Sequence, residues 1–368
     1  MNNTDILSKE FYDLAKKKDK VLSIHTQLHS AGYASRAASV DAISILSSEA
    51  CQVMNDTVIP DLFRGNFDTG VYPDEWHWRE GISKPEAVRE MCNAWKSSRF
   101  VAAIVLNEHL GRFIAEIMGW TSVRIAQDDI VCKTPRPNTS HDTDREKNLR
   151  IDTVGFHQDS AYISKQFTPY ENNSVTLWIS LDDADQENGC LEYIPTSHKW
   201  RPILHLIPAC EDDLDHMHSV SSFHDSDETS YRSSMLNCHE VCKRYCERNN
   251  TKQPPLEIQN AAVKAGTAVI HHQDVWHGSG PNKSSTRYRR SLVVHYLKGD
   301  IRFLDDDDDD NDGSALPPFR RTTYIYGRYK KYQSNELDET FFPIIYSQHG
   351  LSNQRRTEWL DEYIGNKA

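Results

Sequence analysis

The chain has 368 residues, 38% of them hydrophobic and 26% charged, so it can bury a sizeable core and does not have the composition of a disordered protein. Its formal charge of -12 excludes nucleic acid as a general partner, because phosphate binding needs a basic field. No apolar run approaches membrane-spanning length, and the first residues lack the charged-then-apolar pattern of a secretory signal.

In chain order, Ile6, Leu7, Phe11, Leu14 and Ala15 recur at helical spacing and predict a helix over 5–30. A second helix is expected over 47–63, capped by Ser47 or Ser48 with Glu49 in its first turn. A loop rich in Trp, Gly and Pro covers 65–85. Two more helices are expected over 85–97 and 107–118, the latter closed by Gly119. From Val123 the pattern changes to strands. One covers 123–133, and a polar loop at 135–147 leads to a strand holding His157. The β-branched and aromatic run 174–181 is a buried strand, and Asn188-Gly189 is a tight turn from which 190–194 pairs back. Residues 205–258 form a polar insertion with its own helix. Strands resume over 261–270 and 291–297, followed by a solvated acidic run, Asp305 to Asp310 plus Asp312, and a helix near 358–364.

The eight cysteines (51, 92, 132, 190, 210, 238, 242 and 246) are scattered, which suits a reducing compartment. Cys238, Cys242 and Cys246 share a helix face, where they read as small apolar packing residues rather than metal ligands. The sum is one α+β domain over 1–368 with a mainly β core. A helical wrap (1–120) precedes a double-stranded β-helix, a cupin-like jelly roll (121–300), and 301–368 carries the acidic loop and last helix.

Within that core, His157 and Asp159 lie two apart, so strand alternation points them to one side. His277 follows the strand-like run from Thr267 to Ile270 and can supply a third ligand. Two histidines and one carboxylate on one face of an iron leave positions open for substrate and oxygen. An H-x-D pair is common by chance, and the chain has a second one, His272-Gln273-Asp274.

The motifs Phe156-His157-Gln158-Asp159, Leu177-Trp178-Ile179-Ser180-Leu181-Asp182, Asn188-Gly189-Cys190-Leu191, Ile194-Pro195-Thr196-Ser197-His198 and His277-Gly278-Ser279-Gly280-Pro281-Asn282 occur in this order. Together they resemble the phytanoyl-CoA dioxygenase family of iron(II)- and 2-oxoglutarate-dependent oxygenases, over roughly residues 30–300. The resemblance implies His157, Asp159 and His277 as iron ligands and gives His272-Gln273-Asp274 no such role. Arg289-Arg290-Ser291 looks like the family's clamp for the far carboxylate of 2-oxoglutarate, with Arg287 and Arg290 as competitors. Counting back from His295 selects Arg289, and alternation places Arg289 and Ser291 on one face. Similarity also places Gln127, Lys133, Trp178 and Ser279 around the cosubstrate, with Asn282 supporting the loop after His277.

The implied cofactors are Fe(II), 2-oxoglutarate and O2. The implied reaction hydroxylates a small or medium organic molecule and releases succinate and CO2. Asp159, in place of the small residue that opens a halide site, favours hydroxylation over halogenation, while desaturation and ring closure stay open. A zinc hydrolase and a non-catalytic jelly-roll binding module are the competing readings. The 205–258 insertion and Trp76-His77-Trp78 are expected lid elements over the substrate. The expected compartment is the cytoplasm, with the peroxisome as alternative, and monomer or homodimer is left open.

Overall fold

The computed structural model describes residues 6–37, 41–135, 152–200, 232–304 and 325–350. The acidic run, the helix near 358–364, Cys210 and nearly all of the 135–147 loop lie outside them.

Ser8 caps α1 (Lys9–Ala15) by accepting from the Phe11 amide, and a break at Lys16 and Lys17 separates it from α2 (Lys18–Ala31). The region expected to be one helix is therefore two. Three short strands follow, β1 (Tyr33–Ala34), β2 (Arg36–Ala37) and β3 (Asp41–Ser44). Ser47 then caps α3 (Ser48–Val53), which continues through a π turn at Met54–Val58 into α4 (Ile59–Arg64) and ends on Gly65 in the left-handed region. The strands β4 (Glu75–Trp76) and β5 (Arg89–Cys92) lead to α5 (Arg99–Val105) and α6 (Glu108–Met118), the last capped by Asn107 and closed by Gly119. The helix expected over 85–97 is not formed. Residues 89–92 pair instead with the long strand β6 (Ser122–Lys133), from Arg89 opposite Cys132 to Cys92 opposite Asp129. Pairing buries Met91 on one face and leaves Glu90 on the other, so tertiary context overrides local propensity here.

The remaining elements are β7 (Val154–His157), β8 (Phe167–Thr168), β9 (Ser174–Ser180), β10 (Leu191–Tyr193), α7 (Ser233–Asn249), β11 (Gln259–Ala261), β12 (Thr267–His272), β13 (His277–Ser279), β14 (Arg289–Lys298), β15 (Arg302–Phe303) and β16 (Ile344–Ser347). Among the described residues they form a large antiparallel sheet in the order β2-β3-β12-β9-β14-β6-β5-β4, with β1 on β12 and β16 on β6. A smaller antiparallel sheet runs β11-β10-β13-β7, and β15 pairs β8. Two expectations are corrected by this order. Residues 191–193 do not pair back on β9 but cross to the smaller sheet, and the expected strand 261–270 is two strands, one in each sheet.

The period-two alternation of the large sheet separates core from site. Met91, Ile130, Leu292, Ile179 and Ala268 follow one another across β5, β6, β14, β9 and β12, and all are buried on the outer face. There they pack against Phe11, Ile24, Leu28, Ile104 and Phe113 of the helical layer. Each such buried side chain stabilises the fold by roughly 1.5–3 kcal/mol. The opposite face carries Arg289, Ser291, Val293 and His295 on β14, set against Lys133, Val131, Asp129 and Gln127 on β6. Below β7, α7 packs Cys238 and Cys242 with Phe156, Ile194 and Trp276, and Cys246 is also buried. The cysteine-bearing face is apolar packing, and all seven described cysteines are free thiols.

Gly189 marks the crossing between the sheets. Its φ is +79°, and a Cβ there would lie 2.5 Å from the Gly280 carbonyl oxygen. Gly189→Ala is expected to destabilise the protein by about 1–3 kcal/mol, measured by urea unfolding.

Candidate metal centre and cavity

His157 closes β7 and His277 opens β13, and these two residues are direct partners in the strand register. Asp159 lies past the end of β7, at the start of a 3-10 turn (Asp159–Ala161), so it reaches His157 by the turn rather than by strand alternation. The Nε2 atoms of His157 and His277 each stand 3.5 Å from Asp159 Oδ1. One ligand atom from each of the three residues lies within 4.8 Å of the others. His272 and Asp274 do not join them. His272 hydrogen-bonds Asn172, and Asp274 accepts from Tyr170 on the other side of β12.

The surroundings fix these side chains in ligand form. His157 Nδ1 lies 2.7 Å from the Gly155 carbonyl and His277 Nδ1 3.0 Å from that of Val275. A carbonyl only accepts, so each Nδ1 carries a proton, and each Nε2 faces Asp159 Oδ1. Burial, with His271 and His157 nearby, holds His277 well below the ordinary imidazole range, so it is neutral and free to ligate. Asp159 is buried, which alone would raise its pKa, but His277, His157, His271 and His295 hold its carboxyl well below the usual range. Its Oδ2 accepts from Thr176 and from His271 Nε2 at 3.0 Å, which leaves Oδ1 facing the histidines with Tyr162 at 3.1 Å. Two imidazole Nε2 atoms and an anchored carboxylate fit a divalent iron ion.

Sequence reasoning missed the support beneath this triad. His271, Thr176, His295 and Gln127 form one inward row across β12, β9, β14 and β6. Tyr193 donates to His271 Nδ1 at 2.8 Å, and His295 lies between Thr176 at 2.9 Å and Asp129 at 3.1 Å. His271 was hidden beside the second H-x-D pair. Alternation along β12 is the signal that separates it from His272.

The triad opens into a cavity of about 400 Å³. Of the predicted cosubstrate residues, Gln127, Trp178, Ser279 and Arg289 line it. Lys133 and Ser291 stand behind the wall. Lys133 Nζ donates to Ser279 Oγ at 2.7 Å, and Ser291 accepts from Arg289 at 3.2 Å. Arg289 is 1% exposed, donates to the Gly189 carbonyl and Ser279 Oγ, and sits 5.7 Å from the centre of the Trp178 ring. None of its partners among the described residues is a carboxylate. Burial lowers its pKa to about 10, so it stays charged at neutral pH, and burial with Arg289 alongside holds Lys133 well below its usual range. Its competitors are committed elsewhere. Arg287 pairs Asp185 and Glu187, and Arg290 pairs both oxygens of Asp182 and donates to the Asn55 carbonyl. Arg290→Ala is accordingly expected to cost roughly 2 kcal/mol of stability by chemical denaturation, with unchanged affinity for 2-oxoglutarate. Asn282 ties the loop after His277 to the Lys133, Thr134 and Arg287 carbonyls, as expected.

Of the expected lid elements, Trp76 is a strand residue in the large sheet, Trp78 is buried, and His77 lines the cavity. From the insertion, Ser234 of α7 reaches the cavity, and residues 201–231 lie outside the described set.

A family model described as phytanoyl-CoA dioxygenase (PhyH) matches residues 76–291, more than half of the chain. The chain belongs to the phytanoyl-CoA dioxygenase family. This is a family of iron(II)- and 2-oxoglutarate-dependent oxygenases. Among curated relatives, a probable alpha-ketoglutarate-dependent hypophosphite dioxygenase of Stutzerimonas stutzeri is 30% identical over 151 residues, 40% of each chain. The peroxisomal phytanoyl-CoA dioxygenase of Bos taurus is 25% identical over 150 residues, 40% of this chain and 35% of that one. The matched stretch thus spans well under half the length of these relatives. Among solved structures, the non-heme alpha ketoglutarate dependent carbocyclase SnoK of nogalamycin biosynthesis aligns over 92% of this chain and 96% of its own, at TM-score 0.51 and 17% identity. The epimerase SnoN in complex with Fe3+, alpha ketoglutarate and nogalamycin RO aligns over 88% and 98%, at TM-score 0.50 and 14% identity. At these identities the likeness is one of fold, α+β with antiparallel sheets as in the double-stranded β-helix oxygenases. No helix among the described residues is long and apolar enough to cross a membrane.

Proposed function

We propose that this chain is an iron(II)- and 2-oxoglutarate-dependent dioxygenase that hydroxylates a small or medium organic metabolite. His157, Asp159 and His277 hold the iron, and Arg289 binds the far carboxylate of 2-oxoglutarate. One observation carries this reading: a buried guanidinium without a carboxylate partner among the described residues lines the same cavity as the convergent triad. A zinc hydrolase has no use for such a group.

Bound there, iron supplies the oxidative decarboxylation of 2-oxoglutarate by O2, to succinate and CO2, coupled to oxygen insertion at a substrate C–H bond. The chain's residues bind and orient. Ser279 turns its hydroxyl between Lys133 and Arg289, and Ser291 and the Gly189 carbonyl set the plane of the guanidinium. Trp178, Leu191 and Val293 make that end of the cavity apolar and exclude water, which strengthens the charge pairing. Tyr162 and Thr176 hold the Asp159 carboxylate, so ligand geometry does not depend on the metal alone.

The reaction is tested by screening metabolites for 2-oxoglutarate-dependent succinate release under 18O2. One 18O atom in succinate and one in a hydroxylated product is the expected result. Iron uptake with no succinate from any compound would favour a metal-binding module.

A further inference from the structure

We infer that the cavity takes a substrate bearing an organic cation, such as an alkylammonium group, which Glu90 recognises at the β4–β5 side. The inference rests on the oxygenase reading and names the substrate class for the same site.

Glu90 pairs with Val131, and His77 donates its backbone N–H to the Glu90 carbonyl, so both side chains follow the inward row of Ser291 and Val131. Cys92 lies opposite both Asp129 and Glu75, which continues the neighbouring inward row. Four ionisable side chains of this flank, Glu75, His77, Glu90 and Asp129, therefore line the cavity beside the triad. Three are engaged. Glu75 accepts from His77 at 2.8 Å and faces Arg328 at 3.6 Å, and Asp129 Oδ2 accepts from Gln127 and His295. Asp129 is 6% exposed, and its Oδ1 is buried without a hydrogen-bond partner among the described residues.

Glu90 is the group left over. Its carboxylate makes no hydrogen bond or ion pair among the described residues, although it is drawn out of bulk water. Burial first, then Asp129 and Glu75, push its pKa up to about 7, against the pull of His77 and His157. A half-buried carboxylate without a partner is unfavourable unless a cation meets it. The cavity is polarised accordingly, with Arg289 at one end and Glu90 and Asp129 on the β5–β6 flank. Glu90 stands two strand spacings, roughly 10 Å, from the β14 line that carries Arg289. A cosubstrate dianion fits the first end. A substrate carboxylate near the second would meet two like charges.

The test is calorimetric titration of the protein, loaded anaerobically with iron(II) and 2-oxoglutarate, with hexylammonium, hexanol and hexanoate. The inference predicts that hexylammonium binds about tenfold or more tightly than hexanol, that hexanoate does not bind, and that Glu90→Gln removes the preference. Hexylammonium affinity should also rise from pH 6 to pH 8 as Glu90 loses its proton. The wild-type comparison needs no variant. Equal binding of hexylammonium and hexanol, or preferred binding of hexanoate, would overturn the inference. The ligand atoms of Glu90, Cys92 and Asp129 also lie within 4.8 Å of one another. Uptake of a second zinc equivalent that Glu90→Gln loses would make the cluster a metal site and overturn the inference as well. The visible band of the iron–2-oxoglutarate chelate, read in the same sample, reports separately on the oxygenase reading.

Discussion

Asp159→Asn is expected to weaken iron(II) binding by about 100-fold or more and to abolish 2-oxoglutarate turnover. The substitution changes almost no volume, so the effect isolates chemistry. Asp159 Oδ2 accepts from the Thr176 hydroxyl and the His271 N–H, while Oδ1 faces the two histidine Nε2 atoms. An amide cannot satisfy both sides. With its oxygen towards Thr176 and His271, its NH2 group points at the metal and offers no lone pair. With its oxygen towards the metal, its NH2 group faces two donors. Competition with a chromogenic chelator measures the iron affinity, and chromatography of succinate measures turnover. Wild-type iron affinity in this variant would remove Asp159 from the ligand set.

The second large effect is expected at Arg289. Arg289→Ala should raise the apparent Kd for 2-oxoglutarate by about 100-fold, the equivalent of roughly 3 kcal/mol for loss of one partner of a buried charge pair. Iron binding without 2-oxoglutarate should change little, because the contacts of Arg289 run to Gly189, Ser279 and Ser291 and not to the triad. Arg289→Lys should recover only part of the affinity, since an ammonium lacks the planar pair of donors. Lys133 remains in both variants, hydrogen-bonded to Ser279, and sets the residual binding. A titration of succinate formation against 2-oxoglutarate separates this loss of affinity from a loss of rate. Equal effects of Arg289→Ala and Arg290→Ala would show that the clamp is misassigned.

Much of this arrangement is legible in the sequence because the large sheet follows a period of two, interrupted on β6 by one irregularity between Ile125 and Gln127. Leu292, Val294 and Tyr296 face the helical layer, while Arg289, Val293 and His295 face the cavity, and that alternation is written in β14 itself. The same logic puts Thr176 and Trp178 on the inner face of β9. Convergence of His157, Asp159 and His277 is expected, from strand alternation for the first two and from the family resemblance for all three. The structure reaches it through the His157–His277 register and a 3-10 turn. What could not be read are features fixed by pairing partners. Residues 89–92 have no strong strand signature, and only their place against β6 makes them a strand and carries Glu90 into the cavity. The crossing at Gly189, which sends β10 to the smaller sheet, depends in the same way on a backbone approach to Gly280 that no local pattern announces.

The central claim is that one iron ion and one 2-oxoglutarate share the site formed by His157, Asp159, His277 and Arg289. Its most direct test is an anaerobic titration of the protein with iron(II) in the presence of 2-oxoglutarate, followed through the weak visible charge-transfer band of the chelate. The account predicts a band that saturates at one iron per chain, is absent in His157→Ala, and needs far more 2-oxoglutarate in Arg289→Ala. A wild-type protein that binds one metal ion at these residues yet gives no band at any 2-oxoglutarate concentration would contradict it.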